Sequence, residues 1–332
     1  MGILVSKINQ EVQPLRMHHT VGRRADKVDT WLSSPDISRL HAVLEWEAPS
    51  WNIRSLGKNP VRLNGKEISL GTIAPLAEGD VINFGRDDKS TWTLTDSAPP
   101  KSYLVGLNDV SNDIDLTADV FLPSKDEASL AVYFSSIDQY LYAQNISLTN
   151  EQQPIDRLDH GETLTIGQQA WRIHLIGAER ITIIPPPKTY HLSDYEFVFD
   201  LSLDEENTQL KLESDQEVIE LGERSHHYAL MQLARIRAQQ ASSGLDSKNQ
   251  GWIDNEELAG QLGVESTHLN ILIFRARKQV AESCLLHLDS IELVERRRGK
   301  LRFGCPWFKI YKGSQVTHAQ NLCNKEVICC TG

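Results

Sequence analysis

The stretch PDISRLHAVLEW, residues 35–46, decides how the first hundred residues are read. Its second half is strand-like, with Ala42, Leu44 and Trp46 alternating against Val43 and Glu45. Its first half packs Ser38, Arg39 and His41 into four positions just before that strand. A plain edge strand needs none of these three. The segment is either a polar turn or the lip of a binding site.

The surroundings carry the same pattern. Residues 1–97 hold the short alternating runs HAVLEWE, SWNIRSL, VRLNGKEI and DVINFGR, broken at Gly57, Asn64-Gly65, Gly71 and Glu78-Gly79-Asp80. Helical periodicity is absent, so the expectation is an all-β sandwich or barrel over residues 1–98. Three polar groups then fall at strand ends: Gly22-Arg23, Ser38 to His41, and Lys58-Asn59 followed by Asn64-Gly65. Loops at one end of a sandwich cluster in space.

Together these loops offer a guanidinium, a hydroxyl, an ammonium and an amide. Such a set suits a phosphate held beside a peptide backbone. Arg gives a bidentate, charge-assisted fork. Ser donates a hydroxyl, and Asn both donates to and accepts from a main-chain amide. A phosphorylated side chain brings roughly −1.5 to −2 charges at pH 7, so charge pairing dominates the contact. Taken singly, each group reads as an ordinary surface turn residue.

The order and spacing resemble the forkhead-associated (FHA) family over about residues 3–96. That family's pattern is Gly-Arg at a strand end, Ser-Arg-x-His opening the next strand, an Asn-Gly region, Gly-Asp, then Phe-Gly. Here these are Gly22-Arg23, Ser38-Arg39-Leu40-His41, Asn59 with Asn64-Gly65, Gly79-Asp80, and Phe84-Gly85. The resemblance implies an eleven-stranded sandwich that binds phosphothreonine peptides. Arg23 and Ser38 would contact phosphate, with Arg39 more peripheral, and Asn59 would hold the peptide backbone. Gly22, His41, Asn64 and Gly65 would support the pocket. The family often has Ser or Thr before that Asn and Gly after it; this chain has Lys58 and Pro60, so Lys58 would offer a charge in place of a hydroxyl.

Residues 101–181 continue the β pattern and echo the first region at an offset of 90. WLSSPDISRLHAVL from Trp31 lies over FLPSKDEASLAVYF from Phe121, keeping Trp31/Phe121, Leu32/Leu122 and Leu40/Leu130 in character. The site positions change: Ser38/Ala128, Arg39/Ser129, His41/Ala131. EGDVINFG is echoed by HGETLTIG, and Trp92 by Trp171. The expectation is a degenerate FHA-like β domain without a phosphate pocket. Chance likeness between two β regions is the alternative. ITIIPPPK then leads into a stiff proline linker over 182–191.

The period changes after residue 190. FVFDLSLDEENTQLKL reads as short strands; RSHHYALMQLARIRAQQ, DNEELAGQLG and STHLNILIFRARKQVAES read as helices; IELVERRRGKLRFG reads as a hairpin with Gly299 near its turn. In the last helix Leu269, Ile273, Ala276 and Val280 form one stripe, leaving Asn270, Arg277, Lys278 and Phe274 off it. Between 275 and 302 there are 8 basic and 4 acidic residues, inside a region (181–332) of net charge −4. This is the asymmetry of a localised phosphate-contacting face.

The stretch 192–304 resembles the winged-helix output domain of two-component response regulators. LNILIFRARKQV looks like its recognition helix and ELVERRRGKLRF like its wing. The resemblance implies an α+β winged helix-turn-helix on double-stranded DNA, with contacts from Asn270, Arg275, Arg277, Lys278, Arg296, Arg297, Arg298 and Lys300. A winged helix used for protein contact is the alternative, favoured by Leu272 and Phe274 on that face. Residues 305–332 show no clear pattern and read as a tail, either docked or mobile.

Composition narrows the class. No run of about 18 apolar residues exists, which argues against a membrane span, and the N-terminus does not read as a secretion signal. The five Cys (284, 305, 323, 329, 330) are odd in number, which argues against a disulfide framework and for a reducing cytoplasm. No C-x-x-C pair suggests a metal site, and the final CCTG is a poor prenylation box. No nucleophile–base pair, phosphate-cradling Gly loop or carboxylate pair marks an enzyme, and no cofactor is implied. The sequence therefore reads as a multidomain cytoplasmic bacterial regulator. Its first domain would bind a phosphothreonine-containing protein, a Ser/Thr kinase or its substrate, and its last would bind DNA. The rival is an adaptor whose winged helix contacts only protein.

Overall fold

A computed structural model describes residues 1–86, 88–147, 155–177, 191–288, 291–320 and 327–329. The chain divides into two compact units, Met1–Ala118 with Asp159–Glu179, and Asp119–Leu158 with Arg180–Gly332.

The first unit opens with eleven strands: β1 (Ile3–Ser6), β2 (Val12–Pro14), β3 (His18–Gly22), β4 (Thr30–Trp31), β5 (Ala42–Glu47), β6 (Ser50–Ser55), β7 (Val61–Leu63), β8 (Lys66–Ile68), β9 (Ile73–Leu76), β10 (Val81–Asn83) and β11 (Thr91–Asp96). They form two sheets, ordered β2-β1-β11-β10-β7-β8 and β4-β3-β5-β6-β9. The inward residues build one core around Leu4, Val21, Leu44, Trp51, Ile53, Ile82, Phe84 and Leu94. Trp51 is fully buried, and its indole donates to the Ala98 carbonyl at 3.1 Å, closing the sandwich at its C-terminal boundary.

The second β region holds eight strands: β12 (Tyr103–Gly106), β13 (Ile114–Asp115), β14 (Val120–Leu122), β15 (Leu130–Phe134), β16 (Leu141–Asn145), β17 (Ile155–Leu158), β18 (Thr163–Ile166) and β19 (Gln169–His174). They pair as β13-β12-β19-β18 in the first unit and β14-β15-β16-β17 in the second. Each order repeats part of the first sandwich, β2-β1-β11-β10 and β3-β5-β6-β9. The β7–β8 hairpin has no counterpart among the described residues.

Backbone pairing corrects the offset. Ser129 N donates to Leu122 O, as His41 N donates to Val21 O, and Ile146 N bonds Ser129 O as Leu56 N bonds His41 O. Ser129, rather than Ala131, therefore stands at the place of His41. Counting back along the chain puts Asp126 and Glu127 at the places of Ser38 and Arg39.

The second unit continues with β20 (Glu196–Leu201), β21 (Thr208–Glu213), β22 (Val218–Glu223), α1 (Ser225–Ser242), β23 (Ile253–Asp254), α2 (Asn255–Leu262), α3 (Ser266–Ser283), β24 (Val294–Arg297) and β25 (Lys300–Phe303). Helix α1 is buried on most of its circumference, from Leu230 and Met231 to Ala238, as expected of a central helix. Asp254 caps α2 by accepting from Glu256 N at 3.0 Å, and Gly263, at φ 66°, ends it. The hairpin β24–β25 turns at Arg298-Gly299 and pairs with β23.

Residues 305–320 take the docked alternative. They supply β26 (Phe308–Lys312) and β27 (Gln315–Gln320), which with β28 (Val327–Cys329) complete the sheet β22-β21-β20-β26-β27-β28. Strand β26 lies parallel to β20, Phe197 opposite Phe308, and buries Phe308 and Ile310 completely. The pairing joins segments about a hundred residues apart, so no local period announced it. The linker expected at 182–191 lies, but for His191, outside the described residues.

Candidate functional site

The pocket of the first unit is built by backbone contacts that bring two loops together. Arg23 N donates to Ser38 O at 2.9 Å, and Arg24 N to Arg39 O at 3.3 Å. A Cβ on Gly22 would stand 2.3 Å from the Arg39 carbonyl oxygen, so only glycine lets β3 run this close to the Ser38 loop. Arg23 and Arg39 are exposed, and their guanidiniums have no hydrogen-bond or ion-pair partner among the described residues. With Arg24, which is paired to Asp26 at 2.9 and 3.2 Å, they line an open recess of about 470 Å³.

Ser38 is primed as a donor. Lys58 N donates to its Oγ at 3.3 Å, which satisfies an acceptor lone pair and leaves the hydroxyl proton for a ligand. His41 braces this arrangement from below. Its ring is fully buried, its Nδ1 accepts Ser38 N at 3.1 Å, and its own backbone carbonyl accepts Leu56 N and Gly57 N. A Cβ on Gly57 would meet that ring at 2.2 Å, so the Gly57 loop is fitted to the histidine. Burial lowers the His41 pKa, partly opposed by the Phe84 backbone and Asp36.

Asn59 closes the far side. Its Nδ2 donates to Asp36 O at 2.5 Å, and its Oδ1 lies 3.5 Å from Arg86 Nη2. Asp36 in turn accepts Arg86 N on its carboxylate at 2.5 Å. Lys58 is exposed beside it. Asn64 and Gly65 lie elsewhere: they form the turn at the opposite end of β7 from Asn59. There Asn64 accepts Val81 N at 2.9 Å and donates to Asp80 at 2.7 Å. They set the β7–β8 hairpin rather than the pocket. Sequence reading missed Arg24, Arg86, Asp36 and Gly57; the Gly22-Arg23-Arg24 and Gly85-Arg86 runs were the available signals for the two arginines.

In the second unit, Arg275, Arg297, Arg298 and Lys300 are exposed. Asn270, Arg277, Lys278 and Arg296 are buried or half-buried. Asn270 is buried. Arg277 Nη2 donates to Leu288 O at 3.1 Å. Lys278 Nζ sits 2.5 Å from Asp119 Oδ1. Burial and the neighbouring Arg277 pull the Arg296 pKa down to about 10. Phe274 and Leu272 are buried as well. A helix turned outward toward a groove would leave this set open, so α3 is not presented as the sequence implied.

Among the described residues no group of three or more His, Cys, Asp or Glu could hold a metal ion. No helix among them is long and apolar enough to cross a membrane.

Residues 19–85 match the model of the FHA domain family, the class of phosphopeptide-binding modules. Solved FHA structures are similar to part of the chain. One is Mycobacterium tuberculosis EmbR in complex with a low-affinity phosphopeptide: 27% identity over 30% of this chain and 25% of EmbR, TM-score 0.26. Another is the FHA domain of a Chlamydia trachomatis protein, at 25% identity over 29% of this chain and 98% of that one, TM-score 0.25. A third is the N-terminal FHA domain of an S. cerevisiae protein bound to a phosphothreonine peptide, at 19% identity over 28% and 89%, TM-score 0.24. No curated protein sequence matches the chain.

Proposed function

We propose that the first unit binds a phosphothreonine segment of a partner protein, a Ser/Thr kinase or its substrate, through Arg23, Ser38, Arg39, Lys58 and Asn59. The observation that carries this reading is a recess lined by the unpartnered guanidiniums of Arg23 and Arg39, with the Arg23 backbone bonded to that of Ser38, whose hydroxyl accepts from Lys58 N. A dianion there gains charge-assisted bonds from both arginines and a neutral one from Ser38. Capture from a degenerate phosphothreonine peptide library tests it: the wild type should enrich phosphorylated peptides, and Arg23→Ala should enrich none. Equal capture by the variant would remove the pocket assignment.

For the second unit, the three helices followed by a β-hairpin support a winged helix-turn-helix. The exposed Arg275, Arg297, Arg298 and Lys300 support double-stranded DNA as its ligand. On this reading the protein is a cytoplasmic bacterial regulator that couples Ser/Thr phosphorylation to transcription. A second reading, an adaptor whose winged helix contacts only protein, is favoured by the burial of Phe274 and Leu272. Binding of random duplex that weakens steeply with salt separates the two. The second β region is, on this account, a degenerate FHA-like copy with no phosphate pocket.

A further inference from the structure

Helix α3 is buried on two opposite faces. At about 100° per residue, Leu269, Ile273, Ala276 and Val280 fall within about 40° of one another's mean and face the core with α1. Phe274, Lys278 and Ala281 stand about 120 to 180° away from Leu269. On a surface helix that second face meets water. Here Phe274 is 2% exposed.

What covers it is the sheet β14-β15-β16-β17. Phe274 packs edge-on against Phe121 of β14 (5.7 Å, 87°) and Tyr133 of β15 (5.2 Å, 63°). Lys278 Nζ lies 2.5 Å from Asp119 Oδ1 and 5.2 Å from the Tyr133 ring centre. The Arg275 guanidinium stands 5.4 Å from the Phe121 ring centre. The cations on this face thus meet a carboxylate and two aromatic faces, the kinds of group that phosphates and bases offer. Net charge agrees: residues 119–158 contain 2 basic and 6 acidic residues, net −4, against the 8 basic and 4 acidic of 275–302, net +4.

We propose that the β14–β17 sheet is an intramolecular DNA mimic that occupies the outward face of α3. The proposal rests on the winged-helix reading of the second unit. Duplex DNA and the sheet compete for Arg275 and Lys278, so the chain binds DNA only when α3 leaves β14 and β15. Asp119 holds the place of a backbone phosphate, and Phe121 and Tyr133 screen the apolar side chain that DNA would otherwise meet.

The test alters the sheet and leaves the helix intact. In the full chain, Asp119→Asn combined with Phe121→Ala should raise affinity for a random duplex at low salt at least tenfold, and hydrogen exchange of 266–283 should speed up while α1 stays protected. Asp119→Asn alone, which creates no cavity, should give a smaller gain in the same direction. Equal duplex binding by wild type and both variants would overturn the mimic and leave the DNA reading standing. No binding by a variant whose α3 is released would remove the DNA reading, and the mimic with it.

Discussion

The two β regions share a strand order and differ in what their edges hold. In the first, the connection from β3 to β5 ties Ser38 and Arg39 to the backbone of Arg23 and Arg24, and Arg23, Arg24 and Arg39 line one recess. In the second, β14 and β15 are joined by a connection from Leu122 to Leu130. Pro123-Ser124 follow where Gly22-Arg23 stood, and Asp126, Glu127 and Ser129 stand for Ser38, Arg39 and His41. Both regions pair their strands regularly, so the strand order does not require the polar groups of the first. The second copy has turned the aromatic residues of β14 and β15 into a seat for α3 instead.

The largest effect that sharpens this contrast concerns packing. Phe121→Ala should destabilise the second unit by about 3–5 kcal/mol, read by urea unfolding, because the ring is 5% exposed against Phe274. Trp31, which the sequence offset placed opposite Phe121, is 57% exposed, and Trp31→Ala should cost below about 1 kcal/mol. Next in size, Ser38→Asp with Arg39→Glu, which writes the second copy's residues into the first, should weaken phosphopeptide binding by roughly 100-fold, about 3 kcal/mol, with unchanged thermal stability. A loss of folding would show that the polar set is structural after all.

His41→Ala removes a fully buried ring and leaves the Ser38 amide without its acceptor; a loss of about 1–3 kcal/mol in stability is expected. A pH effect follows in the same unit. Burial pulls His19 and His174 down to about 4 from an ordinary 6.5. Between pH 6.5 and 4 the unfolded chain takes up protons that the fold refuses. The stability from these two rings is therefore complete above pH 6.5. It falls on acidification by at most about 1.4 kcal/mol per pH unit for each. His19→Gln should flatten that slope in chemical denaturation at pH 5. The smallest effect is Lys58→Ala: an exposed ammonium on the rim should change phosphopeptide affinity by roughly 2- to 5-fold.

The first sandwich and the ends of α3 were legible because their signals are local. Alternation, the Asn64-Gly65 and Gly79-Asp80 turns, and the stripe Leu269/Ile273/Ala276/Val280 each lie within a few residues. The pocket was legible through Arg23, Ser38, Lys58 and Asn59, but Arg86 and Asp36 join it only through contacts some 25 to 50 residues apart. Two features were beyond local reading: the parallel docking of β26 on β20, and the second buried face of α3. Phe274 looked misplaced on a groove-facing helix because its partners, Phe121 and Tyr133, lie some 140 to 150 residues earlier.

The division of labour between the two copies is tested most directly by calorimetric titration of the full chain with a phosphothreonine peptide selected from a library. The account predicts one site per chain, abolished by Arg23→Ala. Two sites per chain, or a site that survives Arg23→Ala, would contradict it.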